Sequence, residues 1–333
     1  MFNYLIELCN RETNNKKYKR NDGKFVFCFP IKANNSSVSS TLEDLYEKYD
    51  LLLKEEINKQ LELGNEEFRL NDSEIKAIKE RGNTIITVLK QYLSGDLYKA
   101  YETFKDMMDE CISKFPVKEV EPNTPFYRMR KGNCTKQEDF YHLPTNLRRK
   151  FCSSERFSIA GYPCFYIGYS KKDCIKEICK TDSVSASDEY SIIELKLKAD
   201  KSTDKVLDLT FYKDQENQTG LKNFLLAFPI IASCYVVVED NETDVKFREE
   251  YIIPQMLTSY LKKEQIDDKP YDGICYYTVR NENLSPLFEN KEDDYRNLVL
   301  FTKLKSNKKY DKNLMDKFEW DETSIIRPII EFQ

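Results

Sequence analysis

The run KFPVKEVEPNTPFYRMR at 114–130 constrains this chain more than any other stretch. Pro116, Pro122 and Pro125 fall within it, and each removes a backbone donor and blocks a continuing helix. Apolar residues recur at helical spacing before it and at strand spacing after it. Upstream, Leu42, Leu45, Tyr49, Leu52 and Leu53 mark one helical face, with Ser40 and Glu43 at capping-box spacing. Asn71 or Asp72 opens a second stretch through Ile75, Ile78, Ile85, Ile86 and Leu89, weakened in its middle by Gly82. Asp96 opens a third, through Leu97, Tyr101, Phe104, Met108, Cys111 and Phe115. Downstream, FYRMR (126–130), CFYIGY (164–169), YSIIELKLK (190–198), KVLDLT (205–210) and NLVLF (297–301) read as strands, with helices around 173–180, 219–236 and 250–263. Strands and helices mix without regular βαβ alternation, which predicts an α+β fold. The sequence therefore divides into a mainly helical region over 1–120, a mixed-sheet domain over 121–305 and a tail over 306–333. FVFCFPI at 25–31 reads as one strand ahead of the helices.

Composition narrows the class. With 333 residues, 40% hydrophobic and 33% charged, the chain can bury a core. The net charge of −5 and mixed signs argue against a dedicated nucleic-acid surface, and no helix-turn-helix pattern is evident, so direct DNA binding is not expected. Ten cysteines without C-x-x-C pairs, and one histidine, exclude zinc-finger spacing. MFNYLIELCNRETNN lacks a secretory pattern. Scattered thiols then predict a reducing, cytoplasmic setting. No apolar run reaches the roughly 20 residues a membrane helix needs. Phosphate-loop, dinucleotide-fold, zincin and nucleophile-elbow motifs are all absent. His142 reads as a structural residue rather than a base.

What remains is a constellation without a metal or nucleophile: arginines beside strands, aromatics, and a glutamate on a short helix. Arginine forks bind phosphate, aromatic faces stack on rings, and a carboxylate stabilises developing positive charge. A dinucleotide with a glycosidic bond to a cationic leaving group is one ligand of that description.

YHLPTNLRRKFCSSERFSIAGYPCFYIGYSKKDCIKEI at 141–178 resembles the RES-domain family, known from bacterial toxins that consume NAD. EYIIPQMLTSYL (250–261), YDGICYYTVR (271–280) and NLVLF extend the resemblance over roughly 122–305, in the family's order. The resemblance implies a mixed-sheet core related to ADP-ribosyltransferases, with NAD as substrate, no further cofactor, and cleavage of the nicotinamide–ribose bond. The acceptor it implies is phosphate or water. It places Arg128 and Arg156 on the pyrophosphate, Tyr166 against a ring, Glu177 at the ribosyl cation and Thr278 where the family has serine. Tyr127, Ser158 and Tyr169 are supporting candidates. Two alternatives remain open: an ADP-ribosyltransferase with a macromolecular acceptor, and a nucleotide-sensing module without catalysis. A toxin of this kind implies an antitoxin or regulator on a separate chain, and self-association of the helical region is a further expectation.

Overall fold

The computed structural model describes residues 30–33, 37–54, 70–179, 189–201, 205–210, 218–238, 245–263, 271–279, 296–303 and 309–326. In chain order the elements are β1 (Ile31–Ala33), α1 (Val38–Leu52), α2 (Asp72–Leu93), α3 (Leu97–Cys111), β2 (Val117–Lys118), β3 (Pro125–Lys131), α4 (Arg148–Phe151), β4 (Phe165–Gly168) and α5 (Lys171–Cys179). They continue with β5 (Tyr190–Leu197), β6 (Val206–Asp208), α6 (Gln218–Cys234), β7 (Val236–Val238), α7 (Ile252–Lys263), β8 (Gly273–Tyr277), β9 (Arg296–Leu300), α8 (Lys312–Met315) and β10 (Phe318–Ile326). The fold is α+β. Of FVFCFPI, residues 25–29 lie outside the described residues.

The chain forms two compact units. The first is mainly helical and holds α1, α2, α3 and α6, with β1 paired in parallel to β7. Its helices begin where local side chains can satisfy free N–H groups. Ser37, rather than Ser40, caps α1: its Oγ accepts the Ser40 N–H at 3.1 Å. Asn71 and Glu74 form a full capping box at α2, and Asp96 caps α3. Gly82 is explained by packing: a Cβ there would stand 3.0 Å from the Tyr46 ring, so its absence lets α1 and α2 approach.

Pro229 lies inside α6. It has no N–H, so the Leu225 carbonyl four residues earlier loses its helical donor. The buried Tyr49 hydroxyl replaces that donor, bonding Leu225 O at 2.8 Å, while Arg81 Nη1 donates to Leu226 O at 2.9 Å. The helix tolerates its proline because α1 and α2 repair it.

The second unit is built on a sheet of eight strands among the described residues, in the order β10-β5-β3-β4-β9-β8-β6-β2. Only the β6–β8 pair is parallel. One face carries the core: Phe126, Phe165, Ile167, Leu195, Leu197, Cys275, Leu298 and Leu300 pack with Leu314, Met315 and Phe318. The domain drawn over 121–305 is therefore interrupted, because the described part of Phe211–Met256, chiefly α6, belongs to the helical unit. Nor is 306–333 only a tail: β10 pairs with β5 as an edge strand of the sheet. His142 fastens this segment. It is fully buried, its Nδ1 bonds Leu143 O at 2.9 Å, and its Nε2 accepts the Asp311 N–H at 2.8 Å. That pattern requires the neutral ring, and burial together with the Arg128 and Arg130 charges lowers the His142 pKa.

Candidate active site

Strand parity decides which side chains meet. In β4, Phe165 and Ile167 enter the core, so Tyr166 and Gly168 point to the opposite face. Register carries that face across the sheet. Tyr166 lies opposite Val299 and Gly168 opposite Asn297 in β9. Asn297 in turn lies opposite Tyr276 in β8. Tyr166, Gly168, Asn297 and Tyr276 therefore share one face.

Helix α5 covers part of it. Cys174 and Ile175 pack with Met129, Tyr190 and Ile192, and Cys174 Sγ donates to Tyr127 O at 3.1 Å. The helix can sit this low because Gly168 lacks a side chain. A Cβ there would lie 2.9 Å from Cys174 Sγ and 3.3 Å from Asn297 Oδ1. One turn after Cys174, the half-buried Glu177 accepts a hydrogen bond from Asn297 Nδ2 at 3.1 Å. Residues three apart lie on the same helix side, so the contact that seats Cys174 also turns Glu177 toward the sheet.

The loop before β4 supplies the rest. Glu155 and Ser158 exchange backbone hydrogen bonds of 2.9 and 3.1 Å, making a tight turn with Arg156 and Phe157 at its centre. Gly161 closes the loop on Cys152 O at 3.1 Å and adopts φ +82°, which glycine takes without strain. Phe157 O accepts the Thr258 hydroxyl at 3.1 Å, and the Phe157 ring packs 4.8 Å from the Tyr276 ring. Arg156 and Ser158 are both buried. Ser158 Oγ and Tyr166 Oη share a hydrogen bond of 2.9 Å.

The charges converge on Tyr276. Burial pushes its phenol well above the usual value, the Glu177 carboxylate and the Tyr166 phenol push it further, and the Arg156 guanidinium opposes them. Desolvation likewise raises the Tyr166 phenol, with the Ser158 hydrogen bond working against it. Both phenols are neutral hydroxyls at neutral pH. The surroundings of Tyr276 thus include a cation (Arg156), a carboxylate (Glu177) and a second neutral phenol (Tyr166).

The structure brings together Arg156, Ser158, Tyr166 and Glu177, but not every expected residue. Arg128 is on the core face, as its neighbours Phe126 and Ile193 and the Tyr127–Gly168 register require. It is 7% exposed. Its Nε donates to Phe140 O at 2.5 Å, its Nη1 donates to Tyr166 O, and its guanidinium lies 4.8 Å from the Phe165 ring centre. Tyr169 is on that same face, edge-on to Phe126 at 5.0 Å and beneath the Arg296 guanidinium at 4.6 Å. Tyr127 shares the polar face but packs beside Met129, with Lys171 Nζ 5.5 Å over its ring. Thr278 is not set apart in this way: it follows β8 two positions after Tyr276, at the same parity, and is fully buried. Tyr276 and Asn297 are additions that the sequence reading lacks. GICYY is buried at every position and shows no apolar–polar alternation, so nothing local marks the face of Tyr276. The face of Asn297 depends on β9 register, which no local pattern encodes.

Among the described residues, no group of three or more His, Cys, Asp or Glu side chains could hold a metal ion, and no helix is long and apolar enough to cross a membrane.

Fold and site together define an α+β protein with a charged and phenolic cluster on one sheet face. Over 231 residues the chain is 26% identical to a Bacillus subtilis (strain 168) protein named "Putative toxin YopC". The match covers 63% of this chain, which spans about half (50%) of that relative's length. No family model and no solved structure matches the chain.

Proposed function

We propose that this polar face cleaves NAD at the nicotinamide–ribose bond, and that the protein acts as a toxin of the RES-domain kind. The observation that carries the reading is the one sheet face shared by Tyr166, Asn297 and Tyr276, with Glu177 hydrogen-bonded to Asn297 and the Arg156-bearing turn held on it through Ser158 to Tyr166 and Phe157 to Tyr276. The similarity to a toxin-named protein supports the biological half of the proposal.

The chemistry needs few groups. Nicotinamide leaves from NAD as a neutral molecule because the bond electrons return to a cationic ring, so no proton donor is required. This suits a site without a catalytic histidine. Positive charge develops on the ribose C1–O4 unit, and the Glu177 carboxylate stabilises it or binds a ribose hydroxyl. Arg156 pairs with the pyrophosphate through its planar fork. The Tyr166 ring stacks on a base, and the Tyr276 hydroxyl donates to a sugar oxygen. Water then adds at C1, giving ADP-ribose and a proton. If phosphate adds instead, the product is ADP-ribose 1″-phosphate. Arg128 has no role at the substrate on this reading. It holds the β3–β4 seam and so supports the strand that presents Tyr166.

The experiment is incubation of purified protein with NAD, with and without phosphate, resolving nicotinamide and both ribosyl products. Nicotinamide release is expected in at least one condition. Label moving from NAD to a macromolecule with little free product would support the transferase alternative. Tight NAD binding without turnover would support the sensing module.

A further inference from the structure

We infer that Asn297 is the positioning residue for Glu177. The inference rests on the reading above that Glu177 serves NAD cleavage, and it adds a residue that reading does not require. Asn297 is 4% exposed, at the centre of the polar face between Gly168 on β4 and Tyr276 on β8. Directly opposed residues of antiparallel strands have side chains in contact range, so the amide stands between the seat of α5 and the phenol. Its Nδ2 donates to Glu177 Oε1 at 3.1 Å. Its Oδ1 lies 3.3 Å from where a Gly168 Cβ would project, so the amide is packed against the β4 backbone on its other side. A carboxylate accepts and does not donate, which fixes the amide orientation with Nδ2 toward Glu177.

The residue type fits this role. α5 is a short helix, and a glutamate has three rotatable bonds, so a hydrogen bond from the sheet helps to hold Glu177 in one orientation. A lysine or arginine at 297 would anchor it too, but would cancel the negative charge that the ribosyl cation needs. A neutral amide donates one hydrogen bond and leaves the charge in place. Gly168 completes the seat by letting the helix come down far enough for the bond to form.

The test uses Asn297→Asp and Asn297→Leu in the full chain. Two carboxylates at this separation cannot both ionise readily. At pH 8, where both are forced to ionise, the introduced acid repels Glu177, and toward pH 5 the proton that the pair takes up sooner than an isolated carboxylate would restores a hydrogen bond between them. Relative to wild type at each pH, NAD turnover by Asn297→Asp is expected to be down on the order of 10²-fold at pH 8 and to recover about tenfold or more toward pH 5. Asn297→Leu has no donor, and its relative rate stays low and flat. A relative rate for Asn297→Asp that does not change with pH, or an Asn297→Leu enzyme as fast as wild type, overturns the inference.

A second readout needs no substrate. The Asn297 side-chain amide resonances, followed by NMR, are expected to move in Glu177→Gln. Unmoved resonances overturn the pairing even if NAD is cleaved. A pairing seen by NMR in a protein that cleaves no NAD upholds the contact and overturns only the substrate reading.

Discussion

The two faces of the eight-stranded sheet are made by alternate residues of the same strands, yet they do different work. The core face is apolar from Phe126 to Leu300, and its polar members serve structure. Arg128 is tied to two main-chain carbonyls, and Tyr169 is pinned between Phe126 and Arg296. On the other face, Tyr166, Asn297 and Tyr276 are joined by Glu177 from α5 and by Arg156 and Ser158 from the preceding loop. Whether an arginine beside a strand anchors the core face or joins the polar cluster thus follows from parity and register, not residue type. Arg128 and Arg156 look alike in the sequence. One sits within β3 with its side turned to the core, and the other sits in a turn whose geometry is free of strand parity.

Replacing Arg128 should break this contrast most visibly. Arg128→Met removes the donors to Phe140 O and Tyr166 O, leaving two carbonyls without that partner at a cost of about 1–3 kcal/mol each. Chemical denaturation should show a loss on the order of 2–6 kcal/mol, while NAD affinity of the folded fraction changes little. Weakened NAD binding at unchanged stability would return Arg128 to the site. Tyr276→Phe is the mirror experiment on the polar face. It removes one hydroxyl and keeps the ring on Phe157, so turnover should fall by roughly 10²-fold with stability changed by no more than about 1 kcal/mol. A large loss of stability with full activity would make Tyr276 a core residue.

The smallest effect concerns His142, which belongs with the core-face anchors. Its folded pKa lies below the ordinary value, so the unfolded chain binds the proton first as pH falls below about 6.5. Its contribution to stability is complete above that point and is lost as pH drops through the folded pKa. Thermal melts from pH 7.5 to 5 should show a smaller drop in Tm for His142→Gln, whose amide oxygen can still accept from Asp311 N–H. An unchanged slope would mean that His142 does not set this acid sensitivity.

Much of the fold was legible because its signals are local. Asn71, Glu74 and Asp96 announce their helices by capping. The strands through Phe126, Phe165, Ile192 and Leu298 show themselves by alternation and β-branched content. β10 was not legible: FEWDETSII holds four acidic or hydroxyl-bearing residues in a row, which depresses strand propensity, and pairing with β5 overrides it. The first turn of α1 was missed because Ser37 and Ser40 both suit a cap, and only the backbone path chooses between them. α6 reads as a helix, but its place beside α1 and α2 rests on contacts such as Tyr49 to Leu225 O, far apart in sequence. Arg156, Tyr166 and Glu177 could be grouped in the sequence because a turn, a strand and a helix follow one another there. Asn297 and the parity of Arg128 relative to Tyr166 were not legible, because both depend on how β3, β4 and β9 are registered.

On the proposed function, the polar face breaks the nicotinamide–ribose bond through Glu177. Nicotinamide release from NAD by wild type and by Glu177→Gln, with Tm measured on both, tests it most directly. Glu177→Gln keeps the shape of the side chain and removes its charge. Steady release by wild type and a loss of at least about 10²-fold in the variant at matched Tm are expected. A folded wild type that releases no nicotinamide, or a variant that releases it at the wild-type rate, would contradict the proposed function.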